Sequence, residues 1–287
     1  MSDSIIRLPI TLPAYAKINL FLHITGERPD GYHNLQTLFQ FVNLKDLLTF
    51  SKNASNGISI SSNIPISTLE DNLVYKAARA LLPYAKTPCG IHIDIEKNIP
   101  MGAGLGGGSS NAATTLIAVN EIWQCNQSLE KLKTIGAKLG ADIPIFIHGQ
   151  CAWAEGIGEK LQSVHHPEQH ILLVFPKLHI NTAKLFKDQN LKKDAKIISF
   201  DDFTFASTSN VFEDIVRKKH PLIDQTIMLL SDHFPTRLTG TGACVYCLSD
   251  DKKALLDLQK KIDKELDTLV TKTVNFAAVN QMMTNNN

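Results

Sequence analysis

A mixed α and β globular protein of two domains is the fold class that this sequence predicts, and three observations predict it. Residues 91–123 set an alternating apolar run, a glycine cluster and an apolar helical stripe in immediate succession, which reads as strand, loop and helix. Residues 12–25 alternate at period two, the pattern of a strand. The chain has 287 residues, 44% hydrophobic and 20% charged, enough for one large core or two modest ones.

The first strand carries Ala14, Ala16, Ile18, Leu20, Leu22 and Ile24 on one face and Tyr15, Lys17, Asn19, Phe21, His23 and Thr25 on the other. From this strand alone, Lys17 is expected to face solvent on a half-buried sheet. Arg28-Pro29-Asp30-Gly31 has the chemistry of a turn, and Tyr32-His33 at its exit can stack on and hydrogen-bond a planar base or simply be strand surface. Residues 46–51 and 57–61 read as short strands. Glu70-Asp71-Asn72 opens a helix through Leu81, with Pro83 at its end.

After the strand with Ile91, Ile93 and Ile95 comes Pro100-Met101-Gly102-Ala103-Gly104-Leu105-Gly106-Gly107-Gly108-Ser109-Ser110-Asn111, then a helix to Trp123. Glycines let a backbone approach a ligand, and the helix behind presents unpaired N–H groups and a positive dipole end, so this stretch is a phosphate cradle. It lacks the Lys-Ser/Thr that ends a Walker loop. Gly102, Gly104 and Gly107 fit the dinucleotide spacing, but a second helix from Ser128 to Gly140 follows where that fold needs a strand ending in an acid.

Asp142 stands just ahead of Ile143-Pro144, as a helix cap does, and capping is a complete account of it by itself. A polar shift at His165-His166-Pro167-Glu168 suggests a hinge, and Pro167 between His166 and His170 argues for a loop and against a metal site. A strand at 171–175 and a helix opening at Asn181-Thr182 follow, with Phe186 in its core. Asn210 and Glu213 have the spacing of a capping box, with helix continuing to Leu230. Thr239-Gly240-Thr241-Gly242-Ala243 is a tight turn, or a backbone ledge beside the first cradle. A strand at 244–248, a long helix with Leu255, Leu258, Ile262 and Leu266, a closing strand at 270–278 and a frayed tail at 283–287 complete the reading.

Twenty-nine basic and twenty-eight acidic side chains leave a net charge of +1, which offers no global field to nucleic acid or a membrane surface and points to a small-molecule partner. Five cysteines form no paired framework, and Cys244 and Cys247 sit three apart in a strand-like run, facing opposite sides. Residues 1–9 lack the apolar core of a signal peptide and no run reaches membrane-span length, so a reducing cytoplasm is expected.

Taken together, residues 13–20, 100–111 and 238–243 resemble, in order, the three motifs of the GHMP small-molecule kinases. Within that superfamily, residues 26–33, 36–40 and 140–144 look like the 4-diphosphocytidyl-2-C-methyl-D-erythritol kinase family. The resemblance implies an α+β, two-domain GHMP kinase fold. A ribosomal-protein-S5-like, ATP-binding domain at residues 1–162 would precede a ferredoxin-like domain at residues 163–287.

The resemblance also implies ATP-dependent phosphorylation of the 2-hydroxyl of 4-diphosphocytidyl-2-C-methyl-D-erythritol, in the non-mevalonate isoprenoid pathway, with Mg²⁺ as cofactor. Lys17 and Asp142 match the family's catalytic pair. Pro100, Met101, Gly102, Ala103, Gly104, Leu105, Gly106, Gly107, Gly108, Ser109 and Ser110 match the ATP cradle, and Asn72 and Lys97 positions near the adenosine. Tyr32 and Phe186 match cytosine-binding aromatics, His33 a base contact and Thr182 a substrate contact; Asn19, Gly240 and Thr241 complete the expected substrate site. The metal ligands and the oligomeric state are left open. A GHMP-type kinase of another small alcohol, or a nucleotide-binding regulator without turnover, are the alternatives.

Overall fold

The computed structural model describes residues 7–66, 68–262, 264, 266–277 and 279. The expected features at 1–6 and at 283–287, and the last residue of the expected closing strand, lie outside the described residues. Two long strands, β1 (Ile10–Glu27) and β2 (His33–Lys52), form an antiparallel hairpin. Asp30 closes its turn by pairing with Arg28 at 2.8 Å and accepting the Tyr32 backbone N–H at 3.1 Å. Strand β4 (Ile91–Glu96) pairs antiparallel with β2, and β3 (Ile58–Ser62) lies parallel on its outer edge.

Helices α1 (Leu73–Leu81), α2 (Gly107–Ile122), α3 (Leu129–Leu139) and α4 (Ile143–His148) cover one face of this sheet. Ala112, Leu116 and Val119 of α2 meet Phe41, Phe50 and Ile93 of the strands in one continuous core. Helix α2 is buried nearly all round because α1, α4 and β1 pack against it, which explains its weakly amphipathic sequence. A short hairpin of β5 (Ala152–Glu155) and β6 (Lys160–Ser163), which the sequence reading did not anticipate, extends the sheet beside β2.

The carboxy-terminal half runs β7 (His170–Phe175), α5 (Thr182–Phe186), α6 (Glu213–Lys219), α7 (Pro221–Ser231), β8 (Thr236–Leu238), β9 (Val245–Ser249), α8 (Lys252–Gln259) and β10 (Asp267–Val274). Its antiparallel strands lie in the order β10-β7-β9-β8, with the first strand between the fourth and third, which is the ferredoxin-like order. The α+β expectation therefore holds. Thr273 and Val274 of β10 also pair with Val42 and Phe41 of β2, which joins both halves into one ten-stranded sheet.

Strand β1 departs from the single apolar face expected of it. Its register slips after Tyr15 and again between Asn19 and Leu22, and a slip of this kind reverses which face later residues occupy. Leu12 and Ala14 consequently enter the core under the amino-terminal helices, Ala16, Ile18, Leu20 and Phe21 the core between the halves, and Leu22 and Ile24 the core under the carboxy-terminal helices. Cys244 and Cys247 divide between two cores, as their spacing predicts, and all five cysteines are free.

Other expectations are corrected. Residues 46–51 are the end of a 20-residue strand, not a short one. The last helix spans eight residues and stops before Ile262, which is buried in the turn that follows. Asn210 and Glu213 form no capping box: Phe212 occupies the cap position, and Glu213 accepts the Leu238 backbone N–H at 2.9 Å. Asn210 spans to the second glycine cluster, donating to the carbonyls of Leu238 at 2.8 Å and Gly240 at 2.7 Å.

Arg237 holds the two halves together at the level of β1. Its guanidinium is buried, donates to the carbonyls of Leu20, Phe205 and Thr208, and lies 3.9 Å from the centroid of the Phe205 ring. Replacing Arg237 with Met leaves these buried carbonyls without donors, so the urea-unfolding free energy of the variant is expected to fall by about 3 kcal/mol. An unchanged midpoint would show that the clamp contributes nothing.

Candidate active site

Carbonyl and side-chain demands bring three segments, distant in sequence, to one point. The Lys17 backbone N–H donates to the Leu105 carbonyl at 3.0 Å, which ties β1 to the first glycine cluster. The Asn19 backbone N–H donates to Thr239 Oγ1 at 3.1 Å, which ties the next residue of the same strand face to the second cluster. The two clusters also touch each other: a methyl group at Gly104 would come within 2.5 Å of the Thr239 carbonyl oxygen and 3.0 Å of that of Gly242. Residues 239–242 are thus a ledge against the cradle, not merely a turn.

Gly102, Gly104 and Gly106 all have φ between +70° and +76°, a region that non-glycine residues rarely enter. This backbone leads into the amino terminus of α2, where the Ser110 N–H already pairs with the Gly106 carbonyl at 2.8 Å. Lys97 and Asp46 set the approach to the loop. The buried Asp46 carboxylate binds the Lys97 ammonium and accepts the backbone N–H groups of Asn98 at 2.7 Å and Ile99 at 2.8 Å. No sequence signal singled out Asp46, because its partners lie some fifty residues away.

Lys17 does not face solvent. It is 3% exposed, donates to Asn19 Oδ1 at 2.7 Å, lies 3.3 Å from the Asp142 carboxylate and stands 5.0 Å from the centroid of the Phe39 ring. Asn19 in turn donates to Thr37 Oγ1 at 2.9 Å, and Thr37 donates to the Phe21 carbonyl, so the amide orientation is set by the hairpin. Asp142 sits at the cap position of α4, but its backbone is already helical and its side chain caps nothing. Capping therefore does not account for this aspartate; its carboxylate is turned to Lys17, 40% exposed toward a cavity.

That cavity has a volume of about 620 Å³ and is lined by Lys17, Asn19, Thr37, Phe39, Gly102, Gly104, Gly106, Ser109, Asp142, Thr182, Phe186, Gly240 and Thr241, among others. A second cleft of about 440 Å³ holds Asn72, Lys97, Pro100, Met101, Ala103, Leu105, Gly107, Gly108 and Asn111. The two share Gly102, Gly104, Gly106 and Ser109, so the cradle forms the wall between them. Thr182 and Thr241 join across the larger cavity by a 2.8 Å hydroxyl hydrogen bond.

Three expected residues lie elsewhere. Tyr32 is 62% exposed at the hairpin turn and lines neither cavity. Ser110 is buried in α2. His33 lines neither cavity but stacks on Phe186, centroids 5.6 Å apart and planes at 27°, and its buried Nε2 has no hydrogen-bond partner. Burial lowers its pKa, with the nearby Lys193 acting in the same sense. Phe186 is not wholly core: it packs edge-on against Phe212 and offers the remainder to His33 and the cavity.

Curated relatives identify the architecture. A protein of Francisella tularensis named 4-diphosphocytidyl-2-C-methyl-D-erythritol kinase is 51% identical over 265 residues, which cover 92% of this chain and 96% of the relative. The chain belongs to the 4-diphosphocytidyl-2-C-methyl-D-erythritol kinase family. A relative of that name from Acinetobacter baumannii is 46% identical over 253 residues, 88% of this chain and 91% of its own. The family described as GHMP kinases N terminal domain matches residues 72–150, a span that holds the cradle and Asp142. A crystal structure of 4-(cytidine 5'-diphospho)-2C-methyl-D-erythritol kinase superposes with a TM-score of 0.79 at 26% identity, covering 92% of this chain and 99% of the other. Mevalonate kinase of Methanococcus jannaschii shares the fold, with a TM-score of 0.67 at 18% identity over 93% and 99% of the two chains.

Members of this kinase family use ATP, and the cradle between the two cavities has the backbone that a polyphosphate requires. A Gly104→Ala substitution places a methyl against the ledge at a positive φ and forces cradle and ledge apart. ATP affinity measured by calorimetry is expected to fall at least about tenfold, a cost of roughly 1.4 kcal/mol. Gly57→Ala, whose added methyl meets only ordinary contacts, should leave it unchanged.

Proposed function

We propose that this chain transfers the γ-phosphoryl group of ATP to the 2-hydroxyl of 4-diphosphocytidyl-2-C-methyl-D-erythritol. The observation that carries this reading is the pair of cavities meeting at one glycine cradle, with Lys17 and Asp142 on the side away from Asn72 and Lys97. ATP would occupy the cleft with its adenosine toward Asn72 and Lys97 and its phosphates on Gly102–Ser109. The alcohol would occupy the larger cavity, its base toward the His33–Phe186 stack and its erythritol against Thr182, Gly240 and Thr241. Tyr32 would close on the base from the rim. On this reading residues 1–162 hold the nucleotide and residues 163–287 supply the far wall of the alcohol site, in the cytoplasm.

In the reaction, the 2-hydroxyl oxygen forms the bond to the γ-phosphorus as the bond to the β–γ bridging oxygen breaks and ADP leaves. The hydroxyl proton goes to an Asp142 carboxylate oxygen. Lys17, anchored by Asn19 and 3.3 Å from the Asp142 carboxylate, stabilises negative charge developing on the attacking oxygen. Positioning by the rigid β1 frame supplies the in-line approach.

No group of three or more His, Cys, Asp or Glu side chains able to hold a metal ion occurs among the described residues. Mg²⁺ is commonly held by substrate phosphates with one or two protein oxygens. Ser109 and Asp142, which line the same cavity, are the residues that would complete its shell, and the ion would supply charge neutralisation at the phosphates.

ADP release from ATP and Mg²⁺ should be stimulated by the cytidylyl alcohol and not by homoserine or mevalonate. Asp142→Asn and Lys17→Met should each lower kcat by about 10²–10⁴-fold with KM for ATP little changed. Full turnover by Asp142→Asn would remove the base assignment, and turnover only with another alcohol would keep the fold and change the substrate.

His33 offers a second test. Its lowered pKa leaves the imidazole mostly neutral above pH 6.5, and acidification below that charges it. Affinity for the cytidylyl substrate should therefore change little between pH 8 and 7 and weaken as the pH falls below 6.5. A His33→Gln variant should lack that acid limb; an identical pH profile in the variant would exclude His33 from base recognition.

A further inference from the structure

The positive charges around the cradle are nearly all committed. Lys17 is paired with Asp142, and Lys97 with the buried Asp46. A polyphosphate laid on Gly102–Ser109 carries several negative charges, and backbone N–H groups alone do not neutralise them. One further side chain of the right chemistry stands over the loop from the opposite half of the molecule. His179 lies in the segment between β7 and α5, and its Nδ1 sits 3.6 Å from where a methyl on Gly102 would be. It lines the larger cavity together with Gly102 and Thr241, and also a third cleft, separate from the one that holds Asn72 and Lys97, together with Met101 and Lys177.

Three features make this more than proximity. His179 is exposed, and no hydrogen bond or ion pair joins its ring to another described residue, so its ring nitrogens are available to a ligand. Its neighbours hold the backbone in place: Ile180 is buried in the carboxy-terminal core, and Asn181 caps α5 by accepting the Lys184 N–H at 3.1 Å. Gly102 beneath it has no side chain, which leaves an open slot between the imidazole and the loop backbone. An imidazole donates one hydrogen bond when neutral and two when charged, so it serves a phosphate oxygen in either state.

We propose that His179 is a phosphate-contacting residue that reaches from the carboxy-terminal half to a diphosphate group held at Gly102–Gly104. This rests on the cradle being a phosphate site, as set out above. Two sources can supply that group, the nucleotide on the cradle and the nucleoside diphosphate end of the alcohol substrate, and binding separates them.

Dissociation constants for ADP, adenosine, CDP and cytidine are measured by calorimetry on the wild-type chain, His179→Ala and His179→Lys. His179→Ala is expected to weaken ADP or CDP, whichever carries the contacted diphosphate, by about five- to twentyfold, and to leave both nucleosides unchanged. His179→Lys, which restores a donor, should recover most of the loss, whereas a residue acting only through packing would not be rescued. Equal affinity of wild type and His179→Ala for both diphosphates overturns the proposal, as does an equal loss for the nucleosides. Turnover of the wild-type chain with the cytidylyl alcohol, run in parallel, tests the assigned reaction separately, since nucleotide binding is read without catalysis.

Discussion

A lysine ammonium at 3% exposure must be paired, because an unpaired charge in that position would cost several kcal/mol of lost hydration. Lys17 meets this requirement with one carboxylate from the start of α4 and one amide two residues along its own strand. Both partners are themselves held: Asp142 by the helical frame of α4, packed on α2 and α3, and Asn19 by Thr37 across the hairpin. The pair therefore joins β1, β2 and the helical layer at a single point. Its open side, the exposed part of Asp142, faces the cavity where chemistry would occur.

The same strand explains why the halves cannot vary independently around the site. Two register slips let β1 serve three cores in succession, and between those slips lie Lys17 and Asn19. A regular strand would have put these residues on a face covered by one layer only. The slips turn the strand so that its central residues are covered by the glycine loop on one side and by Tyr246 of β9 on the other, whose hydroxyl donates to the Asn19 carbonyl at 3.0 Å. Arg237 and Asn210 then fasten the loops around this segment through backbone carbonyls, which gives rigidity without placing further charge in the cavity.

Charge balance runs through the whole site in the same way. Lys17 and Lys97 are each matched by a carboxylate, and the unmatched buried polar atoms among the described residues are His23 Nδ1, His33 Nε2 beside the aromatic stack and Asn111 Oδ1 in the smaller cleft. Unpartnered buried polar atoms are uncommon in folded proteins; Asn111 lines the smaller cleft, and His33 lies behind Phe186, which lines the larger cavity.

Local pattern in the sequence determined most of the elements: the alternation of β1 and β4, the glycine cradle between strand and helix, the capped starts of α1, α3 and α5, and the opposite facing of Cys244 and Cys247. These follow from spacing within ten or twenty residues, which is the range over which periodicity and capping act. The motifs carrying the kinase resemblance were equally legible, being short runs of fixed residues. Tertiary structure alone decided what Asp142, Lys17 and Asn210 do. Each had a sufficient local explanation as a cap or a surface charge, and each is instead bound to groups far along the chain, Asp142 to β1 and Asn210 to the second glycine cluster. A polar side chain takes the partners that burial leaves it, and burial is set by packing between segments that no local pattern specifies.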